Sequence, residues 1–196
     1  MSENFNVKIT EAIQEKNIDE KIKKTNNLLI NYPFQNHKER YLVLIKNIRE
    51  FCPEKAIKYI ELLINDYPEY LDLYSLIAVF YNYSNIYNSY NESLNYLKQG
   101  LKISMELEDS EQIINFNKKL FNIHADKIIY FGKAFEYLKK LLVLLDENEG
   151  QDFLENTLTT TAAYSGFKEY LLEIYKINCN ITCEKLRNII LKNTSN

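Results

Sequence analysis

Apolar residues recur along this chain at spacings of three and four with polar residues between them, the signature of one face of an α-helix. Phe5, Ile9, Ala12 and Ile13 mark a first helix over residues ~4–16. Ile18, Ile22, Leu28, Leu29 and Ile30 mark a second over ~18–31, which stops at Tyr32-Pro33 because proline cannot continue a helix. Tyr41, Leu44, Ile45, Ile48 and Phe51 form the stripe of a third over ~37–51. Pro53 then fits the first turn of a fourth, over ~54–66, with Ala56, Ile57, Ile60, Leu63 and Ile64 apolar and Tyr67-Pro68 as its stop. A helix starting at Glu69 carries Leu71, Tyr74, Ile77, Ala78 and Tyr81. After a polar, Tyr-rich turn, Asn82–Asn91, comes a helix with Ser93, Leu94, Leu97, Leu101 and Ile103. Asp109 or Ser110 can cap the next, over ~111–126, with Gln112 completing a capping box. Its partner covers ~131–146. Helices over ~151–164, ~167–178 and ~183–192 complete roughly eleven, with no strand.

Two of these segments echo each other. Glu20–Pro33 reads EKIKKTNNLLINYP and Glu54–Pro68 reads EKAIKYIELLINDYP, matching at an offset of 34 residues until Asp66 adds one before the second Tyr-Pro. Two helices of about four turns between successive stops make an αα-hairpin, and a fixed period of this size signals stacked hairpins.

Within the second helix of the clearest hairpin, a small residue is followed by large apolar ones four and seven positions on and then by proline: Ala56, Ile60, Leu63, Pro68. Ser93, Leu97 and Gly100 repeat that order, as do Ala134, Leu138 and Leu141. In the first hairpin the small position falls on Ile22. Tyr74, Ile77, Ala78 and Tyr81 supply the matching first-helix order. The chain thus resembles a divergent tetratricopeptide-repeat protein, best over 37–104, less over 4–36 and 110–146, with a divergent helical cap region over 150–196. The resemblance implies a single all-α domain, 1–196: an α-solenoid of about five antiparallel hairpins in a right-handed superhelix, closed by a C-terminal capping helix. The anchors Ile22, Ala56, Ser93 and Ala134 are spaced unevenly, so the period drifts.

The same resemblance implies a concave surface lined by first helices, beside their packing stripe. Projected onto this sequence it gives Glu39, Lys46 and Arg49, then Ser75, Val79, Asn82 and Tyr83, then Lys118 and Asn122. The last two, one turn apart, are similar to the Lys/Asn pair with which some members hold a peptide's terminal carboxylate. The function this implies is a non-catalytic interaction scaffold or adaptor binding a peptide or protein segment. A peptide-sensing regulator, or a small-molecule binder or enzyme with a closed pocket between helices, are the alternatives.

Composition narrows the rest. The 196 residues are 46% hydrophobic and 26% charged, the balance of a folded domain rather than a disordered chain. A net charge of −3, with basic pairs such as Lys23-Lys24, Lys118-Lys119 and Lys139-Lys140 never growing into a tract, argues against a grip on nucleic-acid phosphates. Met1–Lys16 carries no apolar leader and the longest aliphatic run is Leu141–Leu145, so a soluble, cytoplasmic protein without membrane contact is expected. In that compartment Cys52, Cys179 and Cys183 read as buried thiols. The four glycines, Gly100, Gly132, Gly150 and Gly166, are too dispersed for a phosphate loop. His37 and His124 have no metal-ligand spacing, His124 lying on an apolar stripe as a core or groove residue. No nucleophile–base pair can be named, so the sequence points to no catalytic residue, cofactor or metal. The tyrosines Tyr81, Tyr83, Tyr87, Tyr90 and Tyr96 divide between packing and a contact surface.

Overall fold

The computed structural model describes residues 2–82, 89–126, 128–146 and 148–150, together with 152, 153, 156, 166, 169 and 170. Among them the regular structure is helical throughout: α1 (Ser2–Gln14), α2 (Ile18–Asn31), α3 (Lys38–Phe51), α4 (Pro53–Asp66), α5 (Asp72–Asn82), α6 (Ser89–Glu106), α7 (Ser110–Ala125) and α8 (Phe131–Leu144), with short 3-10 turns at Phe34–Asn36 and Ile128–Tyr130. The expected helices over ~151–164, ~167–178 and ~183–192, and with them the cap, Cys179 and Cys183, fall largely or wholly outside the described residues. The chain divides into two compact units, Met1–Tyr96 and Leu97–Asn196.

In the first unit α1 packs on α2 and on α3, α2 on α3, α3 on α4 and α4 on α5. The buried faces recur in order. The first helix of each pair buries Phe5, Ile9 and Ala12, then Tyr41, Ile45 and Ile48, then Tyr74 and Ala78 with half-buried Tyr81. The second helix buries Lys21, Thr25 and Leu28, then Ala56, Ile60 and Leu63. Ser93, also fully buried, closes the α5–α6 pair by donating its hydroxyl to the Ala78 carbonyl at 2.8 Å.

This burial corrects the register read from the letters. The position equivalent to Ala56 is Lys21, not Ile22, so the structural offset is 35 residues, that of the Tyr-Pro stops. Lys21 is only 2% exposed. Its stem fills the crossing, and its ammonium donates to the Ile13 carbonyl at 2.9 Å and to Asn47 Oδ1. The first bond satisfies a carbonyl that the end of α1 leaves without an intrahelical partner. Phe51 and Ile30, expected on the core stripes, are 59% and 80% exposed. Phe51 instead lies beside the Lys21 ammonium, 5.3 Å from ring centroid to Nζ. Ile30 sits about 200° around the helix from buried Leu28 and cannot share its face. The third pair begins at Asp72 rather than Glu69, because Tyr67–Leu71 is occupied by a turn in which the Tyr70 amide donates to the Tyr67 carbonyl.

Helix ends are fixed locally. The Asn17 side chain accepts from the amides of Asp19 and Glu20 and caps α2. Tyr32 is extended before Pro33, at φ −134° and ψ 115°. The Tyr41 hydroxyl lies 2.7 Å from the Leu28 carbonyl and 2.8 Å from that of Tyr32, so one buried phenol serves the end of α2. In the second unit α6 ends with Glu108 at φ 55° and the Asp109 amide bonded back to the Ser104 carbonyl, a Schellman-type stop. Asp109 then caps α7 by accepting from the Gln112 amide. Gly100 is buried where an added Cβ would fall into the Phe116 ring, which explains a glycine at that point of α6. Around α7 and α8, Phe121, Ala125, Ala134, Leu138, Leu141 and Leu142 form the core of this unit.

Two outcomes follow for stability. Replacing Lys21 by Met keeps the stem but strips the Ile13 carbonyl and Asn47 of their donor, a loss of about 1–3 kcal/mol. Lys55→Met, one position before Ala56 and exposed, should move stability by no more than about 0.5 kcal/mol. Urea denaturation followed by circular dichroism measures both, and equal losses would mean that Lys21 is not at the crossing. By the same physics Ala56→Phe overfills its site and should cost about 1–3 kcal/mol, whereas Lys58→Phe on the exposed face should not.

Candidate functional site

The projected groove residues of the first unit sit where α3 and α5 present surface. On α3, Glu39 and Lys46 are exposed and seven residues apart, and Arg49 is half-buried. The Arg49 guanidinium carbon lies 4.9 Å from the centroid of Phe80, so α3 and α5 meet there through a cation–π contact. On α5, Val79 and Asn82 are exposed, while Ser75 is half-buried with a hydroxyl oxygen that has no hydrogen-bond partner among the described residues. Tyr83 lies outside the described residues. Lys118 and Asn122 belong to the second unit, on α7. Asn122 is exposed, but the Lys118 ammonium is held 5.6 Å from the Phe153 centroid.

Glu39 also belongs to a second setting that the sequence reading did not single out. The 3-10 turn, the start of α3 and the α4–α5 turn together line two adjoining clefts of about 340 Å³ and 470 Å³, which share Gln35, Lys38 and Tyr70. Tyr70 lines both and Tyr67 the larger, and both rings are held from behind for a reason visible in the chain. Pro33 and Pro68 stop α2 and α4 at equivalent points, and each is preceded by tyrosine. Phe34, 2% exposed, packs its ring against Tyr41, Tyr67 and Tyr70 at centroid distances of 5.9, 5.3 and 5.6 Å. Behind it Phe5 stacks on His37 at 3.7 Å and tilts against Tyr41 at 5.5 Å. The signal in the sequence was the clustering of aromatic residues around both Tyr-Pro stops. Only the fold shows that the two clusters meet.

Charge is uneven in these clefts. The smaller carries His37, Lys38, Glu39 and Arg40, and the larger Lys38, Asp66 and Glu69. The Lys38 ammonium lies over the face of Tyr70, 4.4 Å from its centroid. Burial, followed by the neighbouring Asp72 and Glu39 carboxylates, pushes the Tyr70 phenol above its ordinary pKa.

Two further polar clusters are packed rather than open. Tyr81 and Tyr96 stack at 5.9 Å, and both hydroxyls lie 3.2 Å from the same oxygen of Glu61. Burial, then the Glu61 charge, pushes the Tyr81 phenol up to about 12. Of the remaining tyrosines of that region, Tyr90 is half-buried, while Tyr83 and Tyr87 lie outside the described residues. In the second unit His124, 2% exposed, stacks on Tyr137 at 5.5 Å and meets the edge of Tyr130 at 5.7 Å. Burial, followed by the nearby Lys133 and Lys98 charges, lowers its pKa to about 4. Among the described residues no group of three or more His, Cys, Asp and Glu side chains could hold a metal ion, and no helix is long and apolar enough to cross a membrane.

The His124 shift sets a pH dependence. Because the folded pKa lies below the ordinary histidine value of about 6.5, the unfolded chain takes up the proton first, so stability is complete above about pH 6.5 and falls toward pH 4. The loss should be on the order of 3 kcal/mol by pH 4 and should disappear in His124→Gln. Urea midpoints measured from pH 7 to 4 check this, and an unchanged acid slope in the variant would contradict it. No protein-family model matches the chain, and comparison with curated proteins and with solved structures likewise gives no match.

Proposed function

We propose that this chain is a tetratricopeptide-like helical-repeat module that holds a peptide or protein segment without performing chemistry on it. The observation that carries the reading is the recurrence of contacts between hairpins. Phe5 of α1 touches Tyr41 of α3, first helix to first helix. The Tyr59 hydroxyl of α4 donates to Asn26 Oδ1 of α2 at 2.8 Å, second helix to second helix. Stacking of this kind is how repeat proteins cover each hairpin's apolar face while leaving a row of first helices facing solvent. On this reading the stack continues through the chain as a right-handed superhelix, and the row along α3 and α5, exposed Glu39, Lys46, Val79 and Asn82 with half-buried Arg49, is a mixed polar surface suited to an extended or helical segment.

The test is selection from a random-peptide display library on the full chain. Enriched sequences should bind in solution with Kd values in the micromolar range, as transient peptide contacts do (about 1–100 μM). The triple variant Glu39→Ala, Lys46→Ala, Arg49→Ala should bind them at least tenfold more weakly while keeping its helical circular dichroism. Failure to enrich any peptide, or equal binding by the variant, would overturn the reading.

A further inference from the structure

In the larger cleft at the α4–α5 turn one of the cleft's own side chains already behaves as a ligand. Lys38, on the first turn of α3, forms no salt bridge among the described residues. Its ammonium lies instead on the face of Tyr70, 4.4 Å from the centroid. The negative face of a phenol ring attracts a cation, and the attraction strengthens as water is removed. Three further observations converge on the same spot. Tyr70 is half-buried and wedged against Phe34, so its ring is held in place. Tyr67, also half-buried, packs on the other side of Phe34 and lines the same cleft. Asp66 and Glu69 bring two exposed carboxylates to the cleft wall, and neither forms a salt bridge among the described residues. An aromatic wall, two free carboxylates and about 470 Å³ of open space describe a receptor for a flat or compact cation.

Building on the peptide-holding reading above, we propose that this cleft takes a basic side chain of the bound segment, arginine in preference to lysine. The guanidinium would lie on Tyr70 and fork toward Asp66 or Glu69, with Lys38 moving aside. Arginine is favoured because its planar, weakly hydrated head stacks on an aromatic face and donates two parallel bonds to a carboxylate, which an ammonium cannot do. Lys38 therefore acts as an internal competitor that keeps the empty cleft occupied and lowers its affinity for the incoming cation.

The test uses the full chain labelled with nitrogen-15 and two small probes, N-acetyl-arginine methylamide and its neutral isostere N-acetyl-citrulline methylamide, titrated into the millimolar range. The arginine probe should shift the amides of Gln35, Tyr67, Glu69 and Tyr70 along saturable curves, and the citrulline probe should not. Lys38→Ala should bind the arginine probe about threefold more tightly by removing the competitor, and Tyr70→Leu about threefold or more weakly. Tyr70→Phe keeps the ring and should bind as the parent does, which separates loss of the aromatic face from loss of the fold. Equal shifts with both probes, no shifts at all, or indifference of the arginine probe to Lys38→Ala would overturn the proposal. The two readings fail separately: library selection yielding only peptides without basic residues would remove the arginine site and leave the peptide-holding module standing.

Discussion

What the first unit depends on is how closely two helices can approach where the second helix of each hairpin crosses the first. Interaxial distances in packed helices are set by the side chains at the contact, about 8–10 Å. At that site the chain places Ala56 in one hairpin and Ser93 in another, both fully buried, and the Ser93 hydroxyl is spent on the Ala78 carbonyl. Lys21 reaches the same end by a different route. Its four-carbon stem lies within the crossing, and its charge is delivered to the open end of α1 and to α3. Burying an ammonium is costly unless hydrogen bonds replace its water, and burial does lower the Lys21 pKa, opposed by the Glu15 and Glu50 charges. One residue thereby ties three helices together.

Once the crossings are fixed, the stops decide what faces outward. Each Tyr-Pro dipeptide ends a second helix, and the turns that follow the two stops meet at Phe34. Phe34 fills the space between them and carries Tyr67 and Tyr70 into a cleft that also holds Lys38 and two carboxylates. The packing device and the most distinctive surface of the unit therefore have one origin, the proline-terminated hairpin.

Much of this was legible in the residues. The helices from α1 to α8 follow the three–four spacing of apolar positions, and the Tyr-Pro echo marks the hairpin. The register was harder, because matching letters favoured an offset of 34 while burial follows 35. A lysine at a core crossing looks polar in sequence, although its methylene stem is apolar and only its tip needs partners. Phe51 and Ile30 misled in the opposite sense, since an apolar side chain beside a stripe need not belong to it. The cleft was least legible. Phe34, Lys38 and Tyr70 lie up to 36 residues apart, and nothing local says that a phenylalanine after one stop will bridge to the tyrosines of the next.

Contact between successive hairpins is the claim on which the fold reading, the proposed function and the cleft all rest, and nuclear Overhauser spectroscopy of the aromatic rings tests it most directly. The account predicts cross-peaks between the Phe5 and Tyr41 rings and between the Tyr59 ring and the Asn26 side chain, alongside those within each hairpin. A spectrum with contacts inside the hairpins and neither of these between them would contradict it.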